Sequence, residues 1–109
     1  MKNEKMKEET IPILRVENLH LEFQTLEGVS RVLDGVSLDV CQRETVALVG
    51  ETGCGKSITA KAILRLLPPS TRITSGQIFF DGRELLTMRE REFHQYIRGR
   101  EIAMIFQDP

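Results

Sequence analysis

Gly50-Glu51-Thr52-Gly53-Cys54-Gly55-Lys56-Ser57 is the stretch whose reading decides the fold. Its spacing is G-x-x-x-x-G-K-[ST], the pattern of a loop that wraps a polyphosphate. For that task backbone N–H groups must point inward. Glycine alone lets the chain turn so tightly and approach the oxygens without a Cβ in the way. Gly50, Gly53 and Gly55 supply that freedom. The helix that follows adds its unpaired N–H groups and the positive end of its dipole. Lys56 reaches the β and γ phosphates as a point charge, and Ser57 offers a hydroxyl to Mg2+. Cys54 inside the loop reads either as the small residue needed there or as a redox-active thiol.

The flanks fit this reading. Val46-Ala47-Leu48-Val49 is a continuous apolar run and predicts a strand buried on both faces, as in a parallel sheet. Residues 56–67 predict a helix, with Ile58, Ala62, Ile63, Leu66 and Leu67 crowding one side, stopped by Pro68-Pro69. Upstream, apolar residues at Ile13, Val16, Leu19, Leu21 and Phe23 predict a half-buried strand over 13–25. Glu27-Gly28 marks a turn. Residues 32–40 resume the alternation, interrupted by Asp34-Gly35, so a small antiparallel sheet accounts for both stretches. Downstream, residues 76–81 predict a strand closed by the Asp81-Gly82 turn. Residues 87–98 predict a charged helix with Phe93 and Ile97 on one face, and 102–106 a second buried apolar strand. The fold class is α/β. Residues 1–10 alternate Lys and Glu and read as a disordered, solvated tail.

Composition narrows the function classes. Among 109 residues, 15 Lys and Arg face 16 Asp and Glu, which argues against a nucleic-acid partner recognised through bulk basicity. No apolar run approaches the roughly 20 residues that span a bilayer. The N-terminus carries no visible secretory signal. Cys41 and Cys54 fit no zinc spacing and no disulfide framework, so both read as reduced thiols. His20 and His94 read as surface residues without partners.

VALVGETGCGKSIT at 46–59 resembles the phosphate-loop region of ABC-transporter ATPase subunits, in particular those driving peptide and nickel importers. Leu33-Asp34-Gly35-Val36-Ser37, ITSGQIFFDGREL at 73–85 and RGREIAMIFQDP at 98–109 are similar to further stretches of that family. The resemblance covers residues 13–109 and implies a phosphate-loop NTPase core, its N-terminal half, with an antiparallel β subdomain. It implies ATP and Mg2+ as ligands, held by Gly50, Glu51, Thr52, Gly53, Cys54, Gly55, Lys56, Ser57 and Ile58. Gln107, fifty residues after Ser57, resembles the glutamine that touches Mg2+ and the attacking water. Phe23 resembles the aromatic that stacks on adenine, and it fits equally as plain strand core. The implied partners are transmembrane permease subunits, a second ATPase subunit and, indirectly, a substrate-binding protein. The implied place is the cytoplasmic face of the membrane, as a peripheral subunit. Arg43 stands where the family usually has Gly; a left-handed turn there costs about 1 kcal/mol.

Hydrolysis needs a carboxylate for Mg2+ and a base for water. Asp81 follows an apolar strand but reads as a turn residue, and Asp108 lies outside its strand. The family's Ser-Gly-Gly-Gln segment, its Asp-Glu pair and its switch histidine do not occur among the 109 residues. The expectation is therefore part of a nucleotide-binding domain over 11–109, cut after the glutamine loop, that binds ATP and does not hydrolyse it. The rival readings are a non-transport ABC ATPase and another phosphate-loop enzyme such as a GTPase or small-molecule kinase.

Overall fold

The structure is a computed structural model that describes residues 11–49 and 55–106. Its centre is a four-stranded antiparallel sheet in the order β2-β1-β3-β4. β1 runs Pro12–Thr25, β2 Gly28–Cys41, β3 Thr71–Phe80 and β4 Arg83–Glu84. β1 and β2 join through the two-residue turn Leu26-Glu27, as the Glu27-Gly28 signal implied. β3 and β4 join at Asp81-Gly82, with φ of 50° and 82°. A tight hairpin turn of the primed type needs positive φ at both positions, which Asp and Gly tolerate.

The sheet has two chemically different faces because strand side chains alternate. Val16, Leu19, Leu21, Leu33, Ile78 and Phe80 are buried on one face. On the other, cross-strand neighbours carry complementary charge. Arg15 lies opposite Asp39, and Glu22 lies between Arg31 and Arg72. Arg15 Nε meets Asp39 Oδ1 at 3.3 Å. Such exposed pairs contribute about 0.2–1 kcal/mol each and favour one register.

The register shifts at several points, and one of these shifts changes which residues of β1 face inward. Val16 pairs with Leu38 and Leu19 with Val36, so β1 carries one extra residue there. Against β3 the same slip occurs between Glu17 and His20. The bulge centres on Asn18, at φ 47°. It keeps Leu19 and Leu21 inward, where an unbroken alternation from Val16 would turn Asn18 and His20 into the core. Asn18 N donates to Ser37 Oγ at 2.9 Å. Gly76, at φ 111°, lies against the bulge so closely that a Cβ would stand 2.6 Å from Asn18 O and from Leu19 Cα.

The bulge also corrects the reading of His20. Its Nδ1 is 2.8 Å from Asn18 O and 3.0 Å from Ser75 Oγ, and Nε2 is 3.4 Å from Asp34 Oδ1. His20 is thus partnered from all three long strands. His94 is exposed.

Helix α1, Lys56–Leu64, packs Ala62 into the core, with Ile58 and Ile63 beside it. It is shorter than the expected 56–67. Arg65 takes φ 59°, and Leu66 N returns to Lys61 O at 2.9 Å, which closes the helix before the prolines. The expected helix over 87–98 is a short α2, Glu90–Glu92, continued by one π turn, Phe93–Ile97. Phe93 and Ile97 are fully buried against the sheet, as their shared face implied.

Two expected strands are not formed. Residues 46–49 and 102–106 carry no strand; Val49 is 88% exposed and Ile105 95%. A strand buried on both faces requires parallel neighbours to take its hydrogen bonds. Among the described residues no parallel ladder exists beyond a single bridge between Arg98 and Ile102.

At the end of β2 the chain turns through Gln42 and Arg43, with Arg43 at φ 59°. The left-handed turn considered from sequence is therefore present. Glu44 Oε1 accepts from Cys41 N at 2.8 Å. Desolvation of the half-buried Cys41 thiol, with Glu44 next to it, raises its pKa above the ordinary value. The raised value favours the protonated thiol in the folded chain, so thiolate forms later as pH rises. We expect alkylation of Cys41 by iodoacetamide, followed by peptide mass mapping, to be still accelerating at ~pH 9. A plateau already reached at ~pH 8 would contradict the raised value.

Candidate functional site

The start of α1 is set by a glycine. Gly55 precedes the helix at φ 96°, a left-handed conformation that L side chains rarely adopt. A Cβ there would also stand 2.6 Å from Leu33 Cδ2, because Gly55 is pressed onto β2. Gly55 O accepts twice from Thr59, from its N at 2.9 Å and from its buried Oγ1 at 2.8 Å. This fixes the first turn from below. Among the described residues no side chain caps the helix N-terminus, and no acidic residue stands in its first turn. Nothing anionic on α1 therefore competes for the positive end of its dipole.

The first turn divides its side chains by direction. Lys56 is half-buried, Ser57 is exposed and Ile58 packs against the core. Ile58 can thus offer a ligand its backbone N–H, while its side chain serves packing. Gly50, Glu51, Thr52, Gly53, Cys54 and Gln107 lie outside the described residues, as do Asp108 and the expected tail at 1–10.

Phe23 sits on β1 opposite Ser30 on one side and Thr71 on the other. It is half-buried and packs against the core cluster. Leu21, two residues away on the same face, pairs with Leu33, the residue that Gly55 touches. Phe23 is therefore on the face of the sheet that α1 covers, one inward position nearer the hairpin tip. Asp81 is a turn residue whose N donates to Ile13 O at 2.8 Å. Among the described residues no three His, Cys, Asp or Glu side chains gather as a metal site. A groove of about 400 Å³ on the opposite face includes Arg15, Glu17 and Phe79, but Arg15 is already paired with Glu17 and Asp39.

Sequence reasoning missed a cluster behind α1. Arg65 and Arg98 both lie over the ring of buried Phe93, with guanidinium carbons 4.4 and 5.3 Å from its centre. Both also reach Glu90, at 3.1 and 3.5 Å. Charged residues flanking an aromatic on a predicted amphipathic face were the available signal.

A helix start behind a left-handed glycine is a place where backbone N–H groups can receive an anion. Comparison with known proteins gives the family. A family model described as ABC transporter matches residues 33–109, more than two thirds of the chain. The dipeptide transport ATP-binding protein of Bacillus subtilis is 47% identical over 98 residues, covering 89% of this chain and 29% of that protein. The probable peptide ABC transporter ATP-binding protein of Sinorhizobium fredii is 49% identical over 98 residues, again 89% and 29%. The oligopeptide transport ATP-binding protein of Bacillus subtilis is 43% identical over 98 residues, 89% of this chain and 27% of that protein. The chain spans less than a third of the length of these curated relatives. Among the described residues no helix is long and apolar enough to cross a membrane. Taken with the phosphate-loop motif that opens α1, the match places this chain in the ABC transporter family.

Proposed function

We propose that residues 11–109 are the ATP-contacting part of an ATPase subunit that powers import of peptides. The observation that carries this is that α1 starts directly behind the left-handed Gly55, at the end of the 50–57 motif. In this reading the backbone of 50–58 cradles the triphosphate and Lys56 neutralises its β and γ groups. The Ser57 hydroxyl, exposed at the first turn, is free to take Mg2+, which when bound would offset charge on the phosphates. Phe23 offers its ring to adenine, and Gln107 meets the metal side of the nucleotide. Peptide import is supported by the relatives, which are dipeptide and oligopeptide transport ATP-binding proteins. Permease subunits, a second ATPase subunit and a substrate-binding protein then follow as partners, with the chain on the cytoplasmic face of the membrane.

The same reading separates binding from turnover. No Asp-Glu pair after an apolar strand stands among these residues to hold Mg2+ and activate water. The chain is therefore expected to bind ATP and to release phosphate at the background rate.

The test is equilibrium binding with and without Lys56. Lys56→Ala is expected to weaken MgATP binding about 100-fold, roughly 3 kcal/mol, by removing a charge that faces the phosphates. The far-UV circular dichroism is expected to stay unchanged. Equal affinity for wild type and variant would defeat the phosphate role. Preference for GTP over ATP would defeat the ATP assignment. Hydrolysis above background that disappears in Lys56→Ala would defeat the separation of binding from turnover.

A further inference from the structure

The far end of α1 is capped by a side chain from a different segment. Arg98 Nε donates to Leu64 O at 3.1 Å, and Nη2 donates to Arg65 O at 3.4 Å. Terminal carbonyls of this kind find no partner within a helix. A guanidinium placed there also faces the negative end of the helix dipole. Arg98 is held in this pose from behind by one oxygen of Glu90 and by the Phe93 ring. Arg65, the residue that ends α1, takes the other Glu90 oxygen and donates to Leu85 O and Met88 O. One carboxylate and one ring therefore share two guanidinium groups.

Among the described residues no side chain caps the opposite end. Nine residues make a helix about 13 Å long, shorter than the roughly 12–15 residues that an isolated helix needs. Its order comes from packing and from whatever satisfies its two ends. Because helix formation is cooperative, satisfying one end favours the hydrogen-bonded turns at the other.

We infer that the Arg98 cap and a nucleotide phosphate at the start of α1 are energetically coupled through the helix, so that each strengthens the other. The inference rests on the nucleotide reading proposed above. Arg98 is then a positioning residue: it touches no ligand and acts by ordering the helix whose N–H groups do. Reciprocity requires that ATP stabilise the cap by the same factor by which the cap improves ATP binding. The influence extends further along the chain, because Arg98 begins a turn in which Gly99 N donates to Ile102 O at 2.8 Å and Ile102 N to Ile97 O at 3.1 Å.

The test combines ATP titration with hydrogen exchange on the 109-residue chain. In the unaltered chain, MgATP is expected to slow amide exchange over 55–60 and also over 99–102. Arg98→Ala is expected to bind ATP about 5–10-fold more weakly and to lose the protection at 99–102 while keeping that at 55–60. Glu90→Gln, at an exposed position, keeps both arginines and loosens the grip on their guanidinium groups; a shift of about 2–3-fold in the same direction is expected. A merely structural clasp would lower Tm and leave ATP affinity unchanged in both variants, and that result overturns the coupling. Undiminished protection of 99–102 in Arg98→Ala overturns it as well. Absence of any ATP binding by the unaltered chain overturns the nucleotide reading and the coupling with it.

Discussion

Replacing Phe93 by Ala is expected to destabilise the fold by about 4 kcal/mol. The ring has no solvent exposure and fills the junction between α1, the π turn and the sheet. Truncating a buried Phe removes its transfer free energy and leaves a cavity, together about 3–5 kcal/mol. Here the loss also takes away the surface on which Arg65 and Arg98 lie. Two variants separate these contributions. Phe93→Leu keeps most of the apolar volume and removes the ring face, so it should retain all but about 1–2 kcal/mol. Urea denaturation of the three chains measures both steps. A Leu variant as stable as wild type would show that the guanidinium–ring contacts contribute nothing. An Ala variant within about 1 kcal/mol of wild type would contradict the burial itself.

Gly76→Ala carries the second large effect, about 3 kcal/mol, and it is a backbone effect. Gly76 holds φ 111°, where any L side chain is strained. The added methyl would also meet Asn18 O and Leu19 Cα at 2.6 Å, and these are main-chain atoms that no rotamer change can move. Strain and overpacking contribute about 1–3 kcal/mol each. For a domain of this size the loss corresponds to a fall in Tm of roughly 10–20 °C. Gly82→Ala is the control, because it too has positive φ but a Cβ there meets nothing within 4 Å. Equal melting temperatures for the two variants would mean that the contact with the bulge is unimportant.

What could be read from residues alone follows a physical boundary. β1, β2 and the turn between them were legible because alternation and a turn signal are both local. Phe93 and Ile97 were legible as core because they are four apart on a face otherwise charged. The runs at 46–49 and 102–106 were not, because apolar composition records a need for cover and says nothing of where the cover comes from. The end of α1 was misplaced by three residues because Arg65, a non-glycine, adopts the left-handed conformation. The partners of His20 were hidden by the bulge, although the three-residue gap between Val16 and Leu19 was its trace. At the candidate site, the motif put Gly55, Lys56 and Ser57 at the start of a helix, and that is where they stand. The cap on the other end of the same helix was not, because Arg98 is 34 residues from Leu64 in sequence.

The bulge at Asn18 has a consequence for how this sheet tolerates change in length. β1 is the central member of both long ladders, and both step over the same extra residue. The bulge already takes up the one extra residue, so inserting another between Leu19 and Leu21 would exchange the two faces for everything on one side of the insertion. Glu22 would turn toward the buried face while Leu21 faced water. An insertion at Leu26, by contrast, lengthens a solvated turn and leaves every pair in place. Domain fusions, tags and natural length variation are therefore admissible at the hairpin tip and inadmissible a few residues earlier.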